Sequence, residues 1–347
     1  MLVVGILYTI ALWLAFFAFF EDKQDAYTRG IFVTVVFVLC SFVAFRPIGS
    51  DLDSYSYSML YHNLREEFIE VSFAWIVFFI QHTFDDVRWL FIIYALLSVP
   101  LHAAAIRKLS PEVLLSVLLW LSHYFLIQDF TQIRVAVASG FMLVGLPYLI
   151  EGKRWKFLLF LLMALFFHYS SAAFLPLLFF GNKKLKLKGK LFMGGLIVFA
   201  YALYFAKVNL LTTIPIPYFQ NKLDSYQELR DAGILGDNIN VFNVVFLLRL
   251  VVFYYSLVKY EFIVKRHPAF TLLIKVYTLS LFSYVGLSVI PTIAGRMSEL
   301  YGFVEVAMFP MLVCTIQPKF MGRLIFVLYA LGLLSLNIWH NNMINLI

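Results

Sequence analysis

Long apolar segments separated by short polar ones alternate along almost the whole chain. They show no alternation of period two, so the pattern predicts helices rather than the strands of a membrane barrel. Most approach the roughly 20 apolar residues that a helix needs to cross a bilayer. The predicted helices are Leu2–Phe20, Gly30–Phe45, Val71–His82, Trp89–Ile106, Val113–Ile127, Ile133–Ile150, Phe157–Phe180, Leu191–Leu211, Val241–Tyr260, Phe270–Ile290, Leu300–Ile316 and Leu324–Trp339. The sequence therefore predicts an all-α polytopic protein with about 11 (10–12) transmembrane helices.

Two of these segments leave alternatives open. Val71–His82 is shorter than a crossing, so a span, a half-helix or an interfacial segment would each fit. Phe157–Phe180 has basic residues at both ends, which the positive-inside rule places in the cytoplasm. We therefore expect it to fold back as a hairpin near His168. The alternative is a straight span in which the cluster beginning at Lys153 departs from the rule.

Composition supports the membrane assignment. Hydrophobic residues make up 62% of the 347 residues and charged ones 14%, against about 25% charged in soluble domains. No stretch is polar enough for a separate soluble domain, so residues 1–347 are interpreted as a single membrane domain. The net charge of +7 resides in short loops, which indicates membrane orientation rather than a nucleic-acid partner. Cys40 and Cys314 lie in apolar segments, so no disulfide framework is expected.

The basic loops predict which side each polar segment faces. The densest cluster, five lysines within Lys183–Lys190, predicts a cytoplasmic loop, and Lys23 with Arg29 predicts another. Alternation across the membrane then places three loops on the outer side, with residue ranges 46–70, 212–240 and 291–299.

The first outer segment contains Arg46, Asp51, Asp53 and Tyr55 directly after a span. A solvated loop with an aspartate at a helix N-cap is one interpretation, because aspartate is favoured there. The other is a site at the outer edge of the membrane, where a carboxylate acts on a substrate hydroxyl.

Two later segments contain ionisable residues next to or inside apolar sequence. Gln132 and Arg134 open a span, where the arginine either snorkels to the interface or grips an anion such as phosphate with its planar fork. His168 lies within an apolar segment, as a hydrogen-bonded structural group or as an acid or base. Arg296 and Glu299 are three residues apart, so on a helix they share a face and either pair or serve a substrate.

The order of the short motifs along the chain is informative in itself. They are Arg46, Gly49-Ser50-Asp51 with Tyr55, Gln132-Ile133-Arg134 with Ala136 and Ala138, Lys153-Arg154, Phe167-His168-Tyr169-Ser170, and Arg296 near Glu299. This series resembles the EpsG/Wzy family of bacterial polysaccharide polymerases over nearly the whole chain. Two positions depart from the family pattern. Val135 follows Arg134 where the family commonly has a second Gln, and Glu70-Val71-Ser72-Phe73 matches a Glu-Pro-Gly-Phe-like segment only in its Glu and Phe.

The resemblance implies a GT-C-like glycosyltransferase in the bacterial inner membrane that polymerises oligosaccharide repeat units carried on undecaprenyl pyrophosphate at the outer face. It implies no cofactor and no metal. The expected partners are these lipid-linked sugars, membrane lipids and a chain-length regulator protein. Asp51, His168 and Glu299 become the candidate catalytic residues. The candidate substrate-binding residues are Arg46, Asp53, Tyr55, Gln132, Arg134 and Arg296.

Two alternatives to polymerisation remain open at this point. The first is a flippase or exporter of lipid-linked glycans, which needs mainly cations and a cavity. The second is a ligase resembling the O-antigen ligases, which transfers a finished glycan to another acceptor.

Overall fold

The computed structural model describes residues 1–63, 69–208, Glu228 and 239–345. Every regular element in these residues is helical, as predicted. The α-helices are α1 (Leu2–Ala18), α2 (Ala26–Ala44), α3 (Ser54–His62), α4 (Val71–Thr83), α5 (Arg88–Leu109), α6 (Val113–Ser122), α7 (Ile133–Ile150), α8 (Arg154–Phe167), α9 (Leu187–Phe205), α10 (Val244–Val258), α11 (Tyr260–Arg266), α12 (Phe270–Gly286), α13 (Pro291–Gly302), α14 (Glu305–Leu312) and α15 (Lys319–Trp339). A π-helix, Phe125–Thr131, follows α6, and 3-10 helices follow α8 (Tyr169–Phe179) and α14 (Val313–Thr315).

Helix length and hydropathy identify a multi-pass membrane protein. Within the described residues, α2, α5, α7, α9 and α15 are long and apolar enough to cross a membrane. Two broken pairs, α6 with its π-helix and α13 with the helical segment Glu305–Thr315, raise the number to seven if each pair is one span. Shorter apolar helices such as α1 and α4 accompany them. The count of about 11 spans and the GT-C-like arrangement stay predictions.

Contacts divide the chain into two compact units. Unit 1 comprises residues 1–182 and 306–347, and unit 2 comprises residues 183–305. In unit 1, α5 packs against α2 and α7, and α7 also packs against α8. In unit 2, α12 packs against α9 and α13. The apolar pattern contains no sign of this division, because long apolar segments separated by short polar ones recur in both units.

Two of the predicted helices are interrupted in the structure. α6 ends at Ser122 and the π-helix that follows is bent by 71° from it. α8 ends at Phe167, and His168 has an extended backbone (φ −157°, ψ 119°) before the 3-10 helix begins. This second break falls where the sequence predicts the turn of a hairpin. That both ends of the hairpin face the same side stays a prediction.

The outer loops predicted from the sequence contain helices. Residues 291–299 are helical and belong to α13. That they face the outer side stays a prediction. Pro291 occupies the first turn of that helix, where its fixed φ fits and its missing N–H has no intrahelical acceptor. The segment 46–70 contains α3. The segment 212–240 lies almost wholly outside the described residues.

Polar contacts join the neighbouring ends of α1, α6 and α15. The Arg323 guanidinium pairs with the Glu112 carboxylate (Nε to Oε2, 3.0 Å) and donates to the carbonyl oxygen of Glu21. The Glu21 carboxylate in turn accepts the backbone N–H groups of Leu114 and Leu115, at 2.8 and 3.0 Å. It thereby satisfies donors at the start of α6 that no helical carbonyl can reach.

We expect stability to fall with rising pH because of Glu21. Burial, and then the charge of Glu112, raise the pKa of Glu21 from 4.5 to about 8. The folded state therefore holds this proton more tightly than the unfolded chain does. The resulting stabilisation is complete below pH 4.5 and is lost as the pH rises through about 8.

The melting temperature of the full-length protein in detergent checks this expectation. It should fall by several degrees between about pH 5 and about pH 9. Glu21→Gln, which keeps a carbonyl acceptor, should flatten the dependence, and Asp22→Asn on the same loop should not. An unchanged slope in Glu21→Gln would assign the pH dependence to other groups.

Candidate functional site

Three ionisable side chains from distant parts of unit 1 meet around one carboxylate. Glu70 accepts a hydrogen bond from Arg134 Nη1 through Oε2, and its Oε1 lies 2.7 Å from His168 Nδ1. The Glu70 side chain is 4% exposed, whereas those of Arg134 and His168 retain 23% and 17% exposure. A bound molecule can therefore reach the arginine and the histidine, while the carboxylate lies behind them. We call these three residues the Glu70 cluster.

Local backbone structure positions each member. Glu70 is the N-cap of α4, and Arg134 is the second residue of α7. His168 occupies the extended link after α8. The Ser72 hydroxyl donates to the carbonyl oxygen of Phe166 (2.6 Å), which holds the start of α4 against the end of α8. The break in the predicted Phe157–Phe180 helix is thus what brings the histidine to the glutamate.

Aromatic rings hold the Arg134 guanidinium in place. Its central carbon lies 5.5 Å from the ring centre of Tyr57 and 5.3 Å from that of Phe73. Both rings belong to the buried core of unit 1, which also contains Tyr94 and Val137. A cation at this distance is attracted by the electron-rich face of a ring. The arginine is therefore fixed by packing as well as by its ion pair.

The charges of the cluster fix its proton positions. Burial raises the pKa of Glu70, but the hydrogen bond from His168 and the charge of Arg134 lower it further, so its pKa lies below the ordinary value. A carboxylate only accepts hydrogen bonds, so His168 Nδ1 is the donor. In the neutral imidazole this leaves the lone pair on Nε2, which has no hydrogen-bond partner among the described residues. Arg134 Nε is a buried donor that also lacks one there.

The start of α7 adds to the positive potential around Arg134. A helix N-terminus carries partial positive charge, so an arginine in its first turn is unfavourable unless an anion compensates it. The first turn of α7 contains no acidic residue, and Glu70 supplies one negative charge from outside the helix. Gln132 is the N-cap of α7 and its side chain is half-buried. Its predicted role in substrate binding stays a prediction.

Arg46 and Asp51 form a separate, fully buried ion pair. Arg46 Nε donates to Asp51 Oδ2 at 3.0 Å, with 1% and 0% of the side chains exposed. Asp51 Oδ1 accepts the N–H groups of Asp53 and Ser54, at 2.9 and 2.8 Å, just before α3. Phe91 covers the guanidinium at 4.5 Å. This geometry favours the helix-capping interpretation of Asp51 over the catalytic one. Arg46 is likewise buried and paired with Asp51, and its predicted role in substrate binding stays a prediction.

We therefore expect Asp51→Asn to affect folding rather than turnover. The substitution leaves the Arg46 guanidinium buried without a counter-charge, which costs roughly 3–5 kcal/mol of stability. The protein should accumulate poorly and have a lower melting temperature than wild type in detergent. Asp25→Asn is a matched control, because Asp25 is the N-cap of α2 and makes no capping hydrogen bond. A stable but inactive Asp51→Asn protein would restore Asp51 as a catalytic candidate.

Two more candidates lie on the same segment. Asp53 is the N-cap of α3 and half-buried, and Tyr55 is 62% exposed. The Tyr55 ring covers Gly49, whose positive φ of 93° favours glycine and where an added Cβ would lie 2.6 Å from that ring. It is Tyr57, two residues later, that contacts Arg134. The roles predicted for Asp53 and Tyr55 stay predictions.

Arg296 and Glu299 lie on α13 of unit 2. Arg296 is exposed and Glu299 is half-buried. Although they share a helix, they form no ion pair with each other among the described residues. The ion pair at this end of unit 2 joins Arg249 and Glu305 instead, at 2.9 Å. The substrate roles predicted for Arg296 and Glu299 stay predictions.

Sequence motifs alone miss Glu70 and Tyr57. The available signal for Glu70 was a carboxylate placed directly before an apolar segment, in a motif that matches the family pattern only in part. Its importance becomes visible only when α4, α7 and α8 are packed together. Tyr57 carries no signal that distinguishes it from its neighbour Tyr55.

A second buried polar network also escapes sequence analysis. His102 Nδ1 lies 3.0 Å from Asp129 Oδ1 and His102 Nε2 lies 3.1 Å from Ser139 Oγ. Trp120 Nε1 donates to Asp129 Oδ2 at 3.0 Å, and the Ser139 hydroxyl donates to Gln128 Oε1 at 2.6 Å. The residues have the composition of a hydrolase triad, but each is at most 1% exposed. Their hydrogen bonds join α5, α6, the π-helix and α7, and Gln128 Nε2 is the network atom left without a partner among the described residues.

Comparison with known proteins agrees with the motifs. The family model described as EpsG family matches residues 30–346. Over 180 residues the chain is 22% identical to the amylovoran biosynthesis protein AmsC of Erwinia amylovora, an alignment that covers 47% of this chain and 48% of that protein. The chain thus spans about half the length of this curated relative. No solved structure matches the chain. The resemblance expected from the motifs is confirmed: the chain belongs to the EpsG family.

Proposed function

We propose that this protein is a membrane glycosyltransferase that joins undecaprenyl-pyrophosphate-linked oligosaccharide repeat units into a polysaccharide. The Glu70 cluster carries the proposal. In it, one buried carboxylate holds a partly exposed arginine beside a histidine whose Nε2 has no partner among the described residues. Membership of the EpsG family, and a relative named for the biosynthesis of amylovoran, support polysaccharide as the product.

Arg134 is assigned to the leaving group. When the bond from the sugar to the lipid pyrophosphate breaks, negative charge develops on the phosphate oxygen. A fixed guanidinium stabilises that charge because its donors need no reorganisation during the reaction. Arg134 is held for this purpose by Glu70 and two aromatic rings, and the positive end of α7 adds to its field.

His168 is assigned to the acceptor. The hydroxyl oxygen of the incoming unit attacks the anomeric carbon of the donor sugar, and its proton passes to His168 Nε2. Glu70 accepts from Nδ1, which keeps the ring in the tautomer with the lone pair on Nε2 and stabilises the imidazolium that forms. The products are the lengthened glycan on its lipid and free undecaprenyl pyrophosphate.

The reaction is placed at the outer face of the bacterial inner membrane. The positive-inside rule puts Lys23 and Arg29, before and at the start of α2, in the cytoplasm. The chain emerges from the other end of α2 into the segment that contains α3 and Glu70. A lipid-linked sugar there presents its pyrophosphate at the depth of the headgroups.

Elongation by purified protein tests the proposal. Full-length protein in detergent, given lipid-linked repeat units and no nucleotide sugar, should produce a ladder of longer lipid-linked glycans. The donor already contains the energy of its pyrophosphate bond, so no further substrate is needed.

The alternatives give different results in the same assay. A flippase would yield no product, because detergent removes the membrane that a flippase acts across. A ligase would transfer single units to another acceptor without a ladder. Either result, from protein that is folded and binds its donor, would exclude a polymerase.

A further inference from the structure

A basic pocket lies in unit 1 between the start of α2, the end of α5 and the start of α6. It has a volume of about 470 Å³ and is lined by Lys23, Gln24, Arg29, Phe32, Val33, Arg107 and Val113. Three of these seven residues are cationic and none is acidic. We call it the basic pocket.

The basic pocket lies at one end of α2 and α5, and the Glu70 cluster lies towards the other end of these two helices. Arg29 lies in the first turn of α2, whose other end leads to Arg46 and α3. Arg107 lies in the last turn of α5, whose first turns contribute Phe91 and Tyr94 to the core beneath the cluster. At 1.5 Å per residue, either helix spans roughly 30 Å, the thickness of a bilayer core. The positive-inside rule places this end of unit 1 at the cytoplasmic headgroups.

The three cations are held close together. The Lys23 ammonium donates to the carbonyl oxygen of Ser110, which fixes the lysine at the pocket wall. Neither Arg29 nor Arg107 forms an ion pair within the described ranges, and both are exposed. Burial, and then the charge of Arg107, lower the pKa of Lys23, and the smaller opposing effect of Glu21 does not offset them, so Lys23 and Arg107 disfavour one another. A bound anion would relieve that repulsion.

Size and lining indicate which anion fits. Pockets of about 300–1,000 Å³ accept groups the size of a lipid headgroup. Phosphate suits a set of arginine forks, which bind its oxygens in pairs. Phe32, Val33 and Val113 form an apolar wall, and Val33 is exposed on the α2 surface. A free phosphate would make no apolar contact with that wall, whereas the acyl chain of a lipid whose headgroup lies in the pocket would pack along it.

We propose that the basic pocket binds the phosphate group of an anionic lipid from the cytoplasmic leaflet. Basic pockets between transmembrane helices on the cytoplasmic side are known sites for such headgroups. The site is remote from the Glu70 cluster, and the proposal does not depend on the proposed function.

Native mass spectrometry of the full-length protein in detergent tests it, with dioctanoyl phosphatidylglycerol as the probe. Arg29→Gln with Arg107→Gln should weaken binding about 25-fold, since each cation near a headgroup is worth about fivefold. Arg29→Lys with Arg107→Lys keeps the charges but not the forks, so its affinity should lie between those of wild type and the Arg→Gln pair. The control pair Arg154→Gln with Lys156→Gln lies in the first turn of α8, in another basic segment of unit 1, and should bind like wild type. Melting temperatures show whether each variant is folded.

Two further probes identify the source of the phosphate. Dioctanoyl phosphatidylcholine, whose choline cancels the charge, should bind more weakly than phosphatidylglycerol. Inorganic phosphate should not displace the bound lipid at equal concentration. Wild-type affinity in the folded Arg→Gln pair would exclude the basic pocket as the site. Displacement by inorganic phosphate would exclude a lipid as its occupant.

Discussion

Replacing Arg134 with lysine is expected to slow the elongation of lipid-linked repeat units by about 100-fold or more. Lysine keeps the charge but not the planar fork, so it loses the rigid geometry that holds one donor on Glu70 and directs others towards a pyrophosphate oxygen. Elongation in detergent and the affinity for the lipid-linked donor should therefore fall in parallel. The substitution is small enough for the variant to insert and accumulate.

The matched control is Arg323→Lys. Arg323 is also a partly buried arginine paired with a glutamate at a helix N-cap, but it lies at the other end of unit 1. It should lose stability without losing activity per folded molecule. Full activity in Arg134→Lys would show that Arg134 only snorkels or pairs locally.

Glu70→Gln is expected to reduce elongation at least ~100-fold, because it removes the charge that supports both partners. Glutamine keeps one carbonyl acceptor but not the negative charge, so the imidazolium formed in the reaction loses its counter-charge. Its amide NH₂ group also cannot accept from the second partner, so one side chain no longer holds both His168 and Arg134. Arg134 also becomes free to rotate away from its position beside Tyr57. The rate of elongation at saturating donor measures the loss.

The control for this prediction is Glu112→Gln. Glu112 resembles Glu70 in its place at a helix N-cap and in its pairing with an arginine. Both variants should have a lower melting temperature than wild type. Only Glu70→Gln should have a lower rate of glycan elongation per folded molecule. Equal activity of the two variants would contradict a role for Glu70 beyond stability.

The apolar pattern alone predicts most of the helices. Ile133–Ile150 has the predicted bounds, because a polar residue before it and a Glu-Gly pair after it mark both ends. Pattern cannot show where α6 gives way to a π-helix, since the residues on both sides are equally apolar. It also assigns 291–299 to a loop between spans, because Arg296 and Glu299 interrupt the apolar sequence there, whereas these residues lie in helix α13.

Candidate residues were predictable by type, but their partners were not. Arg134 and His168 stand out because ionisable groups are expensive in apolar surroundings. That both would bind one carboxylate depends on the packing of α4 against α8, which no local pattern contains. Asp51 attracts attention because it follows a span at the predicted outer edge of the membrane, yet its two oxygens are used by Arg46 and the start of α3.

The most direct test of the account compares wild type with His168→Ala for both donor binding and elongation. His82→Ala, an exposed histidine at the end of α4, is the control. If the Glu70 cluster is the site of glycosyl transfer, wild type and control should both produce a ladder of lipid-linked glycans. His168→Ala should bind the donor normally and elongate it at least ~100-fold more slowly. Wild-type elongation by folded His168→Ala protein would contradict the account.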